Sequence, residues 1–282
     1  MRTFFESVFL RIRRTIWKLV MHVKFFSEKE LRRIEKDYPK VLSVNETLDL
    51  MINNRASITR FGDGEFSILL ERKLSFQQSS KLLAQRLMEV LDSPPDPKLL
   101  IAITSLEFAA EEQGYEHRRY NFSQWFWLRS WKFIKKHLKR PVYGNAFVSR
   151  LKVFEEVPLE KIKSVWDNRD VVFIIPAIGR FVLDKRLFDN VKTSEFVHVP
   201  PINAFDSYDE ILHEALRHDK EKLYFIAAGP TATVLAFDLH NSGRQAIDMG
   251  HLPNCFRQFL GECKAPEKMH LASETNYYLD VA

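Results

Sequence analysis

From residue 57 onward, short runs of apolar and β-branched residues recur between stretches of helical periodicity, and this alternation constrains the fold more than any other feature. The runs are Ser57 to Phe61, Leu99 to Thr104, Val171 to Pro176, Glu195 to Val199, Leu223 to Ala228 and Gln245 to Asp248. Several, such as Val171-Val172-Phe173-Ile174-Ile175, are apolar at every position, so both faces of those strands must be covered. Between them, Asn45 to Asn53, Ser80 to Leu91, Ser123 to Leu138, Ser207 to Leu216 and Thr231 to Leu239 carry apolar residues at helical spacing, and several begin at a capping Ser, Thr or Asn. Strands that alternate with helices pair in parallel, because each crossover returns the chain to the same end of the sheet. The expected fold class is α/β: a single doubly wound, mostly parallel sheet with helices on both faces. No internal repeat or linker interrupts the 282 residues, which predicts one domain over 28–282 preceded by a helix over 1–27.

Charge is spread unevenly over this plan. The formal net charge of +5 resides in residues 1–26, where Arg2, Arg11, Arg13, Arg14, Lys18 and Lys24 are opposed only by Glu6; the remainder is balanced. At about 100° per residue, Phe5, Val8, Phe9, Ile12, Ile16, Leu19, Val20 and Val23 share one face, with Arg11, Arg14 and Lys18 opposite. Charges recur too often for a spanning helix of about 20 apolar residues or for the core of a secretory signal. This amphipathic helix is expected to lie on an anionic membrane surface, the alternative being packing on the body or on another subunit. A neutral body without a basic stripe argues against a nucleic-acid partner. Cys255 and Cys263 are too few for a disulfide framework and have no zinc-ligand spacing, so they are read as structural thiols in a reducing compartment. The combined expectation is a cytoplasmic protein peripheral to the inner face of the cell membrane.

In open α/β sheets ligands bind beyond the carboxyl ends of the strands, which directs attention to three strand exits. At Arg60-Phe61-Gly62-Asp63-Gly64-Glu65-Phe66, Asp63 and Glu65 can reach one side of a turn and share a hard divalent cation, Mn²⁺ or Mg²⁺, while Gly62 and Gly64 admit a bulky anion and Arg60 adds a charge-assisted contact. The simpler alternative is a helix start capped by Asp63. At Ala228-Gly229-Pro230-Thr231, a glycine turn opens a helix whose N–H groups suit an anion, without the lysine of a P-loop or the spacing of a dinucleotide fingerprint. At Asp248-Met249-Gly250-His251, a carboxylate and an imidazole flank a glycine and could act as acid or base; a helix cap and a packed histidine are the alternative.

Taken together, these segments resemble the bacterial glycosyltransferases with the GT-D fold. The resemblance rests on Arg60-Phe61-Gly62-Asp63-Gly64-Glu65-Phe66, Asn145-Ala146-Phe147-Val148-Ser149-Arg150, Ala228-Gly229-Pro230-Thr231-Ala232 and Ala246-Ile247-Asp248-Met249-Gly250-His251, in the family's order, with Leu187-Phe188-Asp189-Asn190 and Asn203-Ala204-Phe205 in support. It covers about residues 40–255. It implies a Rossmann-like sheet of GT-D type, a D-x-E motif at Asp63 and Glu65 that binds a divalent metal, a nucleotide-diphosphate sugar donor, typically a UDP-sugar, and inverting transfer of a hexose to a growing glycan. The chain departs from the pattern at Pro176-Ala177-Ile178-Gly179-Arg180-Phe181-Val182-Leu183-Asp184 and at Leu252-Pro253-Asn254-Cys255-Phe256-Arg257, segments that bear on the acceptor and the catalytic base.

On this resemblance Asp63 and Glu65 hold the metal. Arg60, Gly62, Gly64, Arg150, Arg180, Gly229 and Thr231 surround the donor, and Asp248, then His251, takes the acceptor's proton. Trp125, Trp127 and Trp131 could stack on a sugar, although their near-helical spacing reads first as packing. The expected function is sugar transfer to a glycan, glycolipid or glycoprotein acceptor in cell-surface assembly. The alternatives are a metal-dependent phosphohydrolase of nucleotide or sugar phosphates and a non-catalytic scaffold docked on the membrane.

Overall fold

The computed structural model describes residues 28–72, 74–78, 80–105, 122–179, 181–266 and 278–279. The helix expected over 1–27 and Arg180 lie outside the described residues. What is described falls into two compact units, residues 28–38 with 122–136 and residues 39–105 with 137–279.

In chain order the elements begin with α1 (Glu28–Asp37), β1 (Lys40–Val41), α2 (Val44–Asn53), β2 (Ser57–Phe61), α3 (Asp63–Leu69), α4 (Lys81–Asp92), β3 (Leu99–Ile103) and α5 (Phe122–Ile134). They continue with β4 (Val142–Asn145), α6 (Leu151–Glu156), α7 (Leu159–Lys163), β5 (Asp170–Pro176), β6 (Leu183–Asp184), β7 (Thr193–Val199), α8 (Tyr208–Arg217), β8 (Leu223–Ile226), α9 (Pro230–Asn241), β9 (Gln245–Asp248), α10 (Leu252–Phe259) and β10 (Tyr278–Leu279). In the smaller unit, the Trp131 ring lies 4.9 Å from that of Tyr38, and Lys135 pairs with Asp37 at 2.7 Å. Trp131 is buried there, so it packs as its spacing suggests and is not a sugar-stacking surface; the side chains of Trp125 and Trp127 lie outside the description.

The larger unit is built on one eight-stranded sheet in the order β1-β4-β3-β2-β9-β8-β5-β7, and every pairing in it is parallel. A small parallel pair, β6 with β10, stands apart from it. Period-2 alternation divides the sheet's side chains between two cores. Val171, Phe173 and Ile175 of β5 and Leu223 and Phe225 of β8 join residues of α2, α6 and α10 on one face. Val172, Ile174, Tyr224 and Ile226 join residues of α8 and α9 on the other. These two buried faces explain why the central strands are apolar at every position. Gly144 in β4 is a close-approach residue, since a Cβ there would stand 3.3 Å from that of Ala102 and 3.4 Å from Cγ2 of Thr47.

Because all eight strands run in parallel, their carboxyl ends share one edge of the sheet. From β2 the chain moves outward to β3 and β4, whereas β9 is reached from β8 on the other side. The crevice beyond β2 and β9 is therefore the topological switch point, where ligands of such sheets bind.

Candidate functional site

At the β2 exit the chain enters α3 at once. Gly62 is the N-cap, and Asp63 and Glu65 are the first and third helical residues. The Gly62 N–H donates to Glu65 Oε2 at 2.7 Å, so Glu65 does the capping that the simpler sequence reading gave to Asp63. Asp63 and Glu65 thus stand in the first turn of α3 and not in an open loop. Removal from water pushes the Glu65 carboxyl up to about 7, and the neighbouring Asp248 charge adds to the shift; the Gly62 N–H and Arg60 oppose it. Gly62 and Gly64 are half-exposed and leave this helix start open.

Arg60 reaches across the crevice. Its Nε donates to the Asp248 carbonyl and its Nη2 to Asp248 Oδ1, both at 2.9 Å. The guanidinium lies where a side chain at 250 would go, since a Cβ there would stand 2.0 Å from Nη2. Gly250 also has φ of +47°, a conformation that favours glycine, and its N–H donates to Asp248 Oδ1 at 3.1 Å. Thr233, in the first turns of α9, donates to the Arg60 carbonyl at 2.9 Å and lies 3.5 Å from Asp248 Oδ2. Burial raises the Asp248 carboxyl above its usual range, and Arg60 pulls against the rise. Asp248 is 2% exposed, with Oδ1 held twice. Asp248, expected as the first-choice base, thus has its carboxylate on Arg60 and turned away from solvent.

At the β8 exit Gly229 is exposed, with φ of +56°, and caps α9. Thr231, expected to contact donor, is fully buried, with its Oγ1 3.5 Å from Gln77 Oε1. The hydroxyl serves packing of the turn, because a side chain with no exposed surface offers a ligand nothing to touch. At the β4 exit Asn145 is buried, takes the Phe147 N–H at 3.0 Å and donates to the Leu42 carbonyl at 3.0 Å. Arg150 starts α6 and His251 starts α10, both half-exposed. Thr233 and Gln77 escaped the sequence reading. Thr233 lies just beyond the Ala228 to Ala232 motif, whereas nothing local marks Gln77.

Among the described residues, no group of three or more His, Cys, Asp and Glu is arranged to hold a metal ion. The donor set at the start of α3 nevertheless suits a divalent cation that takes its remaining ligands from substrate phosphates, which is how Mg²⁺ sites are commonly completed. Asp63 and Glu65 are hard oxygen donors there, and Asp248 is committed to Arg60.

The family model described as glycosyltransferase GT-D fold matches residues 58–277. The chain is 26% identical over 272 residues to the "Probable glycosyl transferase Gly" of Streptococcus gordonii, which covers 90% of this chain and 38% of that protein. It is 27% identical over 238 residues to the "Glycosyltransferase GlyD" of Streptococcus pneumoniae serotype 4, covering 79% of this chain and 28% of that one. It thus spans well under half the length of either relative. A solved structure described as the highly conserved domain of unknown function 1792, with a distinct glycosyltransferase fold, superposes with a TM-score of 0.71 at 31% identity, over 82% of this chain and 86% of that chain. A glycosyltransferase of the same designation from Streptococcus sanguinis gives 0.71 at 26% identity, over 86% and 93%.

Proposed function

This chain belongs to the GT-D fold glycosyltransferase family, and we propose that it moves a hexose from a nucleotide-diphosphate sugar, a UDP-sugar in the first instance, to a glycan, glycolipid or glycoprotein acceptor with inversion. One observation carries the reading. At the switch-point crevice, the Arg60 guanidinium, held by Asp248 in the space that Gly250 leaves, interacts electrostatically with Glu65 in the first turn of α3.

Departure of a nucleoside diphosphate from the anomeric carbon builds negative charge on its phosphates. Arg60 spends two of its five N–H donors on Asp248 and keeps the rest for those oxygens, so the group is preorganised and does not need to reorient as charge develops. Asp63 and Glu65 would hold the Mn²⁺ or Mg²⁺, whose charge, when it is bound, neutralises the leaving diphosphate. Gly229, Gly62 and Gly64, which carry no side chain, let the donor approach the backbone closely, and Arg150 and Arg180 complete the cationic set. The base role passes to His251, the half-exposed residue of the two candidates; it accepts the acceptor hydroxyl's proton as the new bond forms. Residues 1–26 would attach the enzyme to anionic lipid on the cytoplasmic side, where a glycolipid acceptor would lie.

The test is a panel of UDP-, GDP- and dTDP-sugars with Mn²⁺. The transferase releases nucleoside diphosphate slowly from one donor, a phosphohydrolase releases inorganic phosphate, and a scaffold does neither. Asp63→Asn and Glu65→Gln should each abolish metal-dependent turnover and leave the melting temperature close to that of the parent, because Asp63 is partly exposed and a glutamine at 65 keeps an oxygen that accepts the Gly62 N–H. Full activity in both variants would remove the metal assignment.

A further inference from the structure

The segment joining α3 to α4 crosses the exits of β7 and β8 and is fastened there. Asn203 donates its N–H to the Phe76 carbonyl at 2.9 Å and accepts the Gln78 N–H on its Oδ1 at 2.8 Å. It does so from a left-handed backbone, φ +54° and ψ +41°, which aims main chain and side chain at the same strip. Between these bonds Gln77 is 3% exposed, although its neighbours Phe76 and Gln78 are not buried. Its Oε1 lies 3.4 Å from the Phe205 N–H nitrogen and 3.5 Å from Thr231 Oγ1. A carboxamide buried in a short loop is costly unless its polar atoms are met, so this placement joins the β7 exit, the β8 exit and the loop into one piece. Phe76 is held by that piece against exposed Gly229, where a Cβ would stand 3.0 Å from its Cε2.

We propose that Phe76 is a further donor-binding residue that stacks on the planar base of the nucleotide, with Gln77 as the residue that positions it. The inference rests on the nucleotide-sugar reading of the crevice. Distance and chemistry select the base. β8 stands two strands from β2, roughly 10 Å at about 4.8 Å per strand, so a ligand whose diphosphate lies at Arg60 reaches Phe76 with a neighbouring moiety and not with the phosphates. A phenyl ring offers a flat face and no hydrogen bond, which suits a base more than a hydroxyl-rich hexose. The hexose must instead lie where the acceptor's proton is removed.

The experiment is calorimetric titration of the full chain with UDP, GDP and dTDP in Mn²⁺, alongside steady-state kinetics with the donor that the panel selects. Phe76→Leu keeps an apolar side chain on Gly229 and removes the flat face. It should weaken nucleoside diphosphate binding on the order of tenfold, the size of one base–aromatic stacking contact, and raise donor KM with kcat retained. Phe76→Tyr should bind as the parent does, and Gln77→Ala should reproduce the loss seen in Phe76→Leu. Unchanged affinity in Phe76→Leu, or a loss of donor turnover with free nucleotide binding intact, overturns the assignment to the base. A parent protein that binds and turns over no nucleotide or nucleotide sugar overturns the underlying functional reading instead.

Discussion

Gly250 has little latitude in the crevice. Its φ of +47° disfavours a side chain, and a Cβ would enter the Arg60 guanidinium at 2.0 Å from Nη2 and 2.7 Å from Cζ. Gly250→Ala must therefore evict Arg60 from Asp248 and leave a buried carboxylate without its cation. Breaking a buried pair by losing one partner costs about 3–5 kcal/mol, and the strained backbone adds about 1–3 kcal/mol more. The expected outcome in urea denaturation is a stability loss at the scale of the pair, accompanied by loss of donor turnover. Gly243→Ala serves as the comparison: its φ is also positive, at +82°, but no atom lies within 4 Å of the added Cβ, so it should pay the backbone strain alone and keep activity. Equal losses in the two variants would mean that Arg60 does not depend on Gly250.

Among the elements, α2 connects local sequence to the site. Ser43 Oγ accepts the Glu46 N–H at 3.1 Å, and the Ser43 N–H donates to Glu46 Oε2 at 2.8 Å, a complete capping box. The next residue, Thr47, donates to the Ser43 carbonyl and accepts the Asn145 N–H at 2.9 Å, so the first turn of α2 anchors the β4 exit. Ser43→Ala should cost about 1 kcal/mol in equilibrium unfolding. The Ser43 N–H, and then its hydroxyl, hold the Glu46 carboxyl below its ordinary value. A carboxyl lowered in the folded state stabilises above its unfolded pKa of about 4.3, and the contribution disappears as pH falls through the lowered value. The melting-temperature gap between the parent and Glu46→Gln should accordingly be present at neutral pH and close in the acid range below about 4.3. A gap independent of pH would show that the carboxylate plays no part in the cap.

For the whole molecule, charge separates residues 1–26 from everything after them. Deleting those residues should leave a near-neutral protein that still turns over donor but no longer sediments with anionic vesicles. Changing Arg11, Arg13, Arg14 and Lys18 together to Gln should weaken vesicle binding and flatten its salt dependence, because attraction decays over a Debye length of about 8 Å at physiological salt. A full-length chain that ignores anionic vesicles would remove the membrane role. Among the described residues no helix is long and apolar enough to cross a membrane. The sheet was legible because burial on two faces demands apolar residues at consecutive positions, a property each strand carries locally, as in Val171 to Ile175. β4 was not legible, since Val142-Tyr143-Gly144-Asn145 contains a glycine needed for close packing and an asparagine needed for a turn, neither of which signals a strand. α3, whose seven residues are too few to display a period, was legible only as the alternative of a helix start at Asp63. The candidate residues Arg60, Glu65 and Asp248 could be named from sequence because strand exits are where parallel sheets bind ligands. Their partnership could not. Arg60 meets Asp248 across 188 residues, and Gln77 meets Thr231 across 154, because β9 inserts beside β2 and because one loop crosses two strand ends. Local periodicity determines which segments become strands and helices; only the free energy of the assembled sheet decides which strand ends become neighbours.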